Sequence, residues 1–208
     1  MSQVEVVEHP LVARSLTLLR DEETSVAEFR AHMRLVAKLM TPAVTEGVHT
    51  VEKSLRTPLE ETKGSVLEAP VVVAPILRAG LGMAEGVAEM IPDAGIAHIG
   101  LYRDEKTLEP KVYYENYPSG LFESLVVMVD PMLATGGSAI AAADLLKTNG
   151  ASDLCFLTLV ACPEGIEAFH GKHPEVPIYT AAVDRGLNEK GYILPGLGDA
   201  GDRVFGTM

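Results

Sequence analysis

The sequence predicts an α/β protein built on a doubly wound parallel sheet, and three observations carry that expectation. From residue 71 onward, short apolar runs alternate with helical patterns, the rhythm of βαβ units. The first run, Val71 to Ala74 with Ile76 and Leu77, shows no polar alternation, as expected of a strand covered on both faces. Residues 126–138, VVMVDPMLATGGS, pass from an apolar strand to one acid, then a turn of small residues, then an alanine-rich helical pattern.

The N-terminal region, about 1–45, reads as helical. Ser25 and Glu28 have the spacing of a capping box. Phe29, Met33, Val36 and Met40 then recur at helical spacing, and Pro42 is expected to end the pattern. Such a stripe belongs in a core or at a subunit contact. Residues 44–70 alternate weakly around Val48, Thr50 and Glu52, with Pro58 and Gly64 as punctuation, and predict a short antiparallel element. Next come a strand at 71–77, a helix at 80–90 stopped by Pro92, and a strand at 96–101. Residues 102–124 are polar and tyrosine-rich, an insert of the length that usually serves function, and are expected to form a flexible β-arm able to close over a site. A strand at 125–129, a helix at 138–147 closed by Asn149-Gly150, a strand at 154–160, a helix at 164–170 and a strand at 178–183 complete the alternation. The C-terminal segment, about 184–208, is rich in glycine. With no repeat or linker in view, 1–208 is expected to be one domain.

The 208 residues are 47% hydrophobic with a formal net charge of −12. That charge argues against a general nucleic-acid binder, which needs a basic field. It does not exclude a small anionic substrate, because arginine and backbone N–H groups can override it locally. No signal-like or membrane-length apolar run is present, so no membrane partner is expected. Cys155 and Cys162 form no zinc or redox motif, and a reduced, cytoplasmic protein is the expectation. Among the histidines only His170 and His173 are close in sequence, and both read as surface residues rather than metal ligands. No direct metal site is expected.

Strand, acid, small turn and helix in that order suit a phosphorylated sugar. Backbone N–H groups of the turn and of the helix N-terminus can hold phosphate. Asp130 can accept from sugar hydroxyls. Thr135 and Ser138 can donate, Ser138 is expected to N-cap the helix, and Gly136 and Gly137 permit close backbone approach. Neither the Walker nor the dinucleotide glycine spacing is present; a plain βα turn is the alternative. Arg78 follows the buried strand 71–77, where open α/β sheets place ligands, and can bind phosphate oxygens through two parallel hydrogen bonds. The alternative is a surface ion pair, worth under about 1 kcal/mol. Arg103 follows strand 96–101 in the same way, although Asp104, Glu105 and Lys106 could equally make it part of a solvated charge run.

Three blocks together resemble one family. Asp130-Pro131-Met132-Leu133-Ala134-Thr135-Gly136-Gly137-Ser138 resembles the phosphoribosyl-diphosphate loop of uracil phosphoribosyltransferases, and residues 74–82, APILRAGLG, their diphosphate segment. Residues 192–203, YILPGLGDAGDR, resemble their uracil-binding C-terminus. Most of the wider superfamily carries two adjacent acids at the strand end; Pro131 in place of the second is shared with the uracil enzymes. The resemblance implies a type I phosphoribosyltransferase fold. It implies transfer of the phosphoribosyl group of 5-phospho-α-D-ribose 1-diphosphate to uracil, giving UMP and diphosphate, and so a pentosyltransferase of pyrimidine salvage. It implies Arg78, Asp130 and Asp199 as catalytic residues, and Arg78, Arg103, residues 130–138 and Asp199 as contacts of the phosphoribosyl donor. Backbone groups of Ile193, Gly198 and Ala200, with Asp199, are implied to meet uracil. Magnesium is implied to arrive on the donor, GTP to act as an activator without a motif of its own here, and the chain to form a homodimer or larger homo-oligomer. A regulator of this fold that binds RNA would need a basic face, and a different base specificity within the same enzyme class is the other alternative.

Overall fold

The chain begins with β1 (Val4–Val6), α1 (Pro10–Arg20) and α2 (Val26–Val44), followed by an exposed hairpin of β2 (Thr50–Arg56) and β3 (Glu61–Leu67). The alternating region follows as β4 (Val71–Leu77), α3 (Leu81–Met90), β5 (Gly95–Ile96), β6 (His98–Arg103), β7 (Pro110–Asn116), β8 (Leu125–Val129) and β9 (Met132–Leu133). Then come α4 (Gly137–Thr148), β10 (Asp153–Ala161), α5 (Pro163–His170) and β11 (Ile178–Val183). The C-terminal segment holds β12 (Gly186–Leu187), β13 (Ile193–Leu194) and α6 (Ala200–Phe205). This computed structural model describes residues 4–103 and 110–207. Residues 104–109 of the expected arm and the side chain of Arg103 lie outside the described residues.

The main sheet runs in the order β1-β11-β10-β8-β4-β6-β7, parallel throughout except for the antiparallel β6–β7 edge. The apolar runs are buried on both faces because their successive side chains serve two cores. Val71, Val73, Val127, Val129 and Leu157 pack with α1, α2 and α3. Val72, Ala74, Val126, Met128 and Phe156 pack with α4 and α5. The chain leaves β4 for β6 on one side and then crosses back to β8 on the other. The switch in strand order therefore lies between β4 and β8, with α3 on one face and α4 on the other. A crevice opens at the carboxyl ends of strands at such a point. Arg78 follows β4 there, and Asp130 follows β8.

The Ser25–Glu28 capping box is present in both directions: Ser25 Oγ accepts the Glu28 N–H at 3.3 Å and Glu28 Oε2 accepts the Ser25 N–H at 3.1 Å. Several expectations need correction. Pro42 does not end α2, which continues two residues to Val44; the proline removes one backbone hydrogen bond and crowds the carbonyl four residues back, and the helix stops soon after it. The stripe Phe29, Met33, Val36 and Met40 needs no correction: it is fully buried within this chain, the core placement of the two expected. The antiparallel element is a pair of seven-residue strands, longer than expected. Ser138 does not cap α4; Gly136, at φ +81°, holds the N-cap, and Ser138 lies inside the first turn. β1 was not expected. Its side chains alternate too briefly to signal a strand, and pairing with Ile178–Thr180 of β11 makes it one. His173 is buried rather than superficial, packed on Phe169 with Nδ1 2.7 Å from Lys147 Nζ.

Candidate active site

The turn after β4 is pressed against the end of β8. A Cβ on Gly80 would lie 2.4 Å from the Val129 carbonyl oxygen and 2.8 Å from both Ile76 N and Ile76 O, so only glycine lets the two strand ends approach this closely. Arg78, joined to Leu77 by a cis peptide, is exposed in that turn, its guanidinium 5.4 Å from the centroid of the Phe205 ring.

The segment after β8 is tied to β10. The Asp130 N–H donates to Leu157 O at 3.3 Å, Pro131 O accepts from Leu159 and Val160, and Leu133 O accepts from the Cys162 N–H at 3.2 Å. Beneath it, α5 carries Gly165, where a Cβ would lie 2.4 Å from Ala134 O and 2.5 Å from Leu133 O. Loop and helix are thus in backbone contact. Gly136 then turns the chain into α4, whose first-turn N–H groups face out of the loop without intrahelical partners, as in any helix. No described residue donates to the Asp130 carboxyl, and burial alone pushes it up to about 8. Such a group is short of hydrogen-bond donors, which the hydroxyls of a bound sugar can supply.

The third wall comes from the C-terminal segment. β12 and β13 form a small antiparallel pair, after which the Leu194–Pro195 peptide is cis and Gly196 and Gly198 have φ of +63° and +69°. Asp199 then N-caps α6, with Oδ1 accepting the Asp202 N–H at 2.9 Å. The segment is not a loose tail. Arg203 is buried, stacked 4.4 Å from the Phe29 ring centroid, and donates to Leu197 O at 3.0 Å, to Asp21 O and to Leu19 O. Burial lowers the pKa of this guanidinium; the three carbonyls and the ring hold it in place.

These three walls enclose one cavity of about 370 Å³, the size range of small-molecule sites. A family model described as uracil phosphoribosyltransferase matches residues 6–207. The chain belongs to the uracil phosphoribosyltransferase family. Relatives named uracil phosphoribosyltransferase include those of Agrobacterium fabrum, 53% identical over 208 residues, and Acholeplasma laidlawii, 51% identical over 207, each covering 100% of both chains. A solved structure of a protein from Aquifex aeolicus, 35% identical, superposes with a TM-score of 0.90 over 98% of each chain. An adenine phosphoribosyltransferase from Trypanosoma brucei, 15% identical with a TM-score of 0.60 over 92% of this chain and 88% of its own, shares the fold.

The family and the fold expected from the three motif blocks are those found. Of the residues that the uracil phosphoribosyltransferase resemblance singles out, Arg78, Asp130, Pro131, Met132, Ala134, Ser138, Ile193, Gly198, Asp199 and Ala200 line the cavity. Leu133 turns its side chain into the core beside α4 and α5. Thr135, Gly136 and Gly137 belong to the same turn but not to the cavity lining, and Arg103 ends β6. Ala79, Tyr192 and Gly201, which lie within the resembling blocks, and Gly191, just before one, also line the cavity without having been assigned a role of their own. Tyr192, the aromatic that opens the 192–203 block, is half-exposed there.

Proposed function

We propose that this chain transfers the 5-phosphoribosyl group of 5-phospho-α-D-ribose 1-diphosphate to N1 of uracil, forming UMP and releasing diphosphate. The observation that carries the proposal is the meeting of three segments on one cavity: Arg78 after β4, the Asp130–Ser138 turn after β8, and the backbone of 193–201.

Each wall suits one part of the substrates. The turn at 134–138 and the N-terminus of α4 suit the 5′-phosphate. Asp130 suits the ribose hydroxyls, and its carboxyl ionises as they donate to it. Arg78 suits the diphosphate, which gains charge as the C1–O bond loosens toward an oxocarbenium-like ribose; a preformed cation there favours the transition state over the ground state. Backbone groups of Ile193, Gly198 and Ala200 suit the two carbonyls and the N3–H of uracil. A base with an amino group in place of a carbonyl would leave buried polar groups unmatched. The N1–C1 bond forms as C1–O breaks, the bonding pair of C1–O leaves with diphosphate, and the N1 proton leaves late, to the departing diphosphate or to solvent water.

The donor set also bears on magnesium. Among the described residues the cavity offers two carboxylates, Asp130 and Asp199, and one Asp199 oxygen is committed to the Asp202 N–H. So few carboxylates suit an ion that would arrive on the diphosphate and keep most of its water, with Asp199 as the residue that would help hold it. Magnesium would supply further neutralisation of the leaving group. Homo-oligomerisation, activation by GTP and a cytoplasmic location complete the proposal and rest on the family likeness; no helix among the described residues is long and apolar enough to cross a membrane.

The test is turnover of an equimolar mixture of uracil, cytosine, orotate and hypoxanthine with the phosphoribosyl donor and magnesium. UMP alone is expected. Nucleotides of orotate or hypoxanthine without UMP would overturn the proposal.

A further inference from the structure

Gly196 lies in the middle of the segment assigned to the base. A Cβ there would stand 2.2 Å from the Ile193 carbonyl oxygen, so the chain folds back tightly on the residue that begins the segment. β13 pairs with β12 before the turn and Arg203 holds the Leu197 carbonyl after it. Gly196 itself is held by two charged side chains, Asp184 after β11 and Arg20 at the end of α1. Asp184 is buried, and its Oδ2 accepts the Gly196 N–H at 2.9 Å. Arg20, the last residue of α1, donates to Asp184 Oδ2 at 2.8 Å through Nη1 and to Oδ1 at 2.7 Å through Nη2. The same Nη1 donates to the Gly196 carbonyl at 3.0 Å. Both polar backbone groups of one glycine therefore end on a single ion pair. Neither side chain lines the cavity; Arg20 borders a separate groove along α1.

We propose that the Arg20–Asp184 pair positions the uracil-reading backbone and thereby sets affinity for the base without touching it. The proposal rests on the assignment of 193–200 to uracil. A backbone N–H or C=O has no rotamers, so its direction is fixed only by the φ and ψ of its own segment. A fork-to-fork guanidinium–carboxylate pair is the most direction-specific ion pair available to a protein, and a partly buried one is screened little by solvent. Here it locks the one glycine through which Ile193 and Gly198 are joined. The phosphate turn is braced separately, by β10 and by Gly165. Loss of the pair is therefore selective for the base half of the site.

The experiment is initial-rate kinetics on the wild type, Arg20→Ala and Arg20→Lys, varying uracil at saturating phosphoribosyl donor and the reverse. Arg20→Ala is expected to raise the uracil KM roughly 10- to 100-fold, the range for losing charge-assisted hydrogen bonds, with the donor KM unchanged. Arg20→Lys is expected to recover part of the loss, because an ammonium restores the charge but cannot fork. An unchanged uracil KM, or an equal rise in both KM values, overturns the proposal. Should Arg20→Ala fail to fold, Arg20→Lys decides alone: a uracil KM equal to that of the wild type overturns it. Wild-type protein that makes no UMP would instead sink the enzymatic assignment, an outcome distinct from active variants with unshifted uracil KM.

Discussion

Replacing Asp130 with asparagine sets the demands of folding against those of the site. Burial pushes the wild-type carboxyl up to about 8 from an ordinary 3.8, with no described residue donating to it. Between those two values the folded protein keeps a proton that the unfolded chain has released. Stability is therefore fully present below 3.8 and is lost as pH rises toward 8, by at most about 1.4 kcal/mol per pH unit. From pH 5 to pH 8 the loss is on the order of 3 kcal/mol, and above pH 8 it stops growing. Asparagine has nearly the same shape and no such proton. Urea melts of both proteins at several pH values isolate this contribution, since all other ionisable groups are common to the pair. The variant should gain on the wild type steadily with pH, by about 3 kcal/mol or roughly 6–12 °C in Tm between pH 5 and pH 8. UMP formation should fall by about 100-fold or more, because a neutral amide cannot become the ionised acceptor for the ribose hydroxyls. A stability difference that stays flat across this range would refute the reasoning.

Arg78→Ala should lower kcat by about 100- to 1,000-fold, as for loss of one preorganised charge donor, while a thermal melt stays near that of the wild type because the side chain is exposed. Gly165→Ala should push a methyl into Ala134 O and Leu133 O, destabilising the protein by about 1–3 kcal/mol in denaturant melts and raising the KM for the phosphoribosyl donor more than that for uracil. Arg203→Ala should strip the partners from Leu19 O, Asp21 O and Leu197 O and remove the stack on Phe29, at about 2–4 kcal/mol of stability, read by the same melts.

What the sequence disclosed was what is local along the chain. The runs at β4 and β8, the acid after one and the arginine after the other, and the glycines of the turn can each be read within a dozen residues, and the topology then carries Arg78 and Asp130 to the same switch point. What stayed hidden is long-range. Arg20 reaches Asp184 across 164 positions and Arg203 reaches Leu19 across 184, and no pattern within either segment announces the other. His173 read as a surface residue because it follows a helix among glycine, lysine and proline; its burial comes from Phe169 on α5 and Lys147 on α4. Ser138 looked like a better cap than Gly136 by side-chain chemistry, but the turn needs a positive φ at the cap, which glycine adopts without strain.

The structure of the protein with UMP and diphosphate bound tests most directly whether one cavity serves both halves of the reaction. The uracil ring should meet backbone groups of Ile193, Gly198 and Ala200, the 5′-phosphate should sit on residues 134–138, and diphosphate should contact Arg78. A base lodged against 130–138, or a nucleotide held outside this cavity, would contradict it.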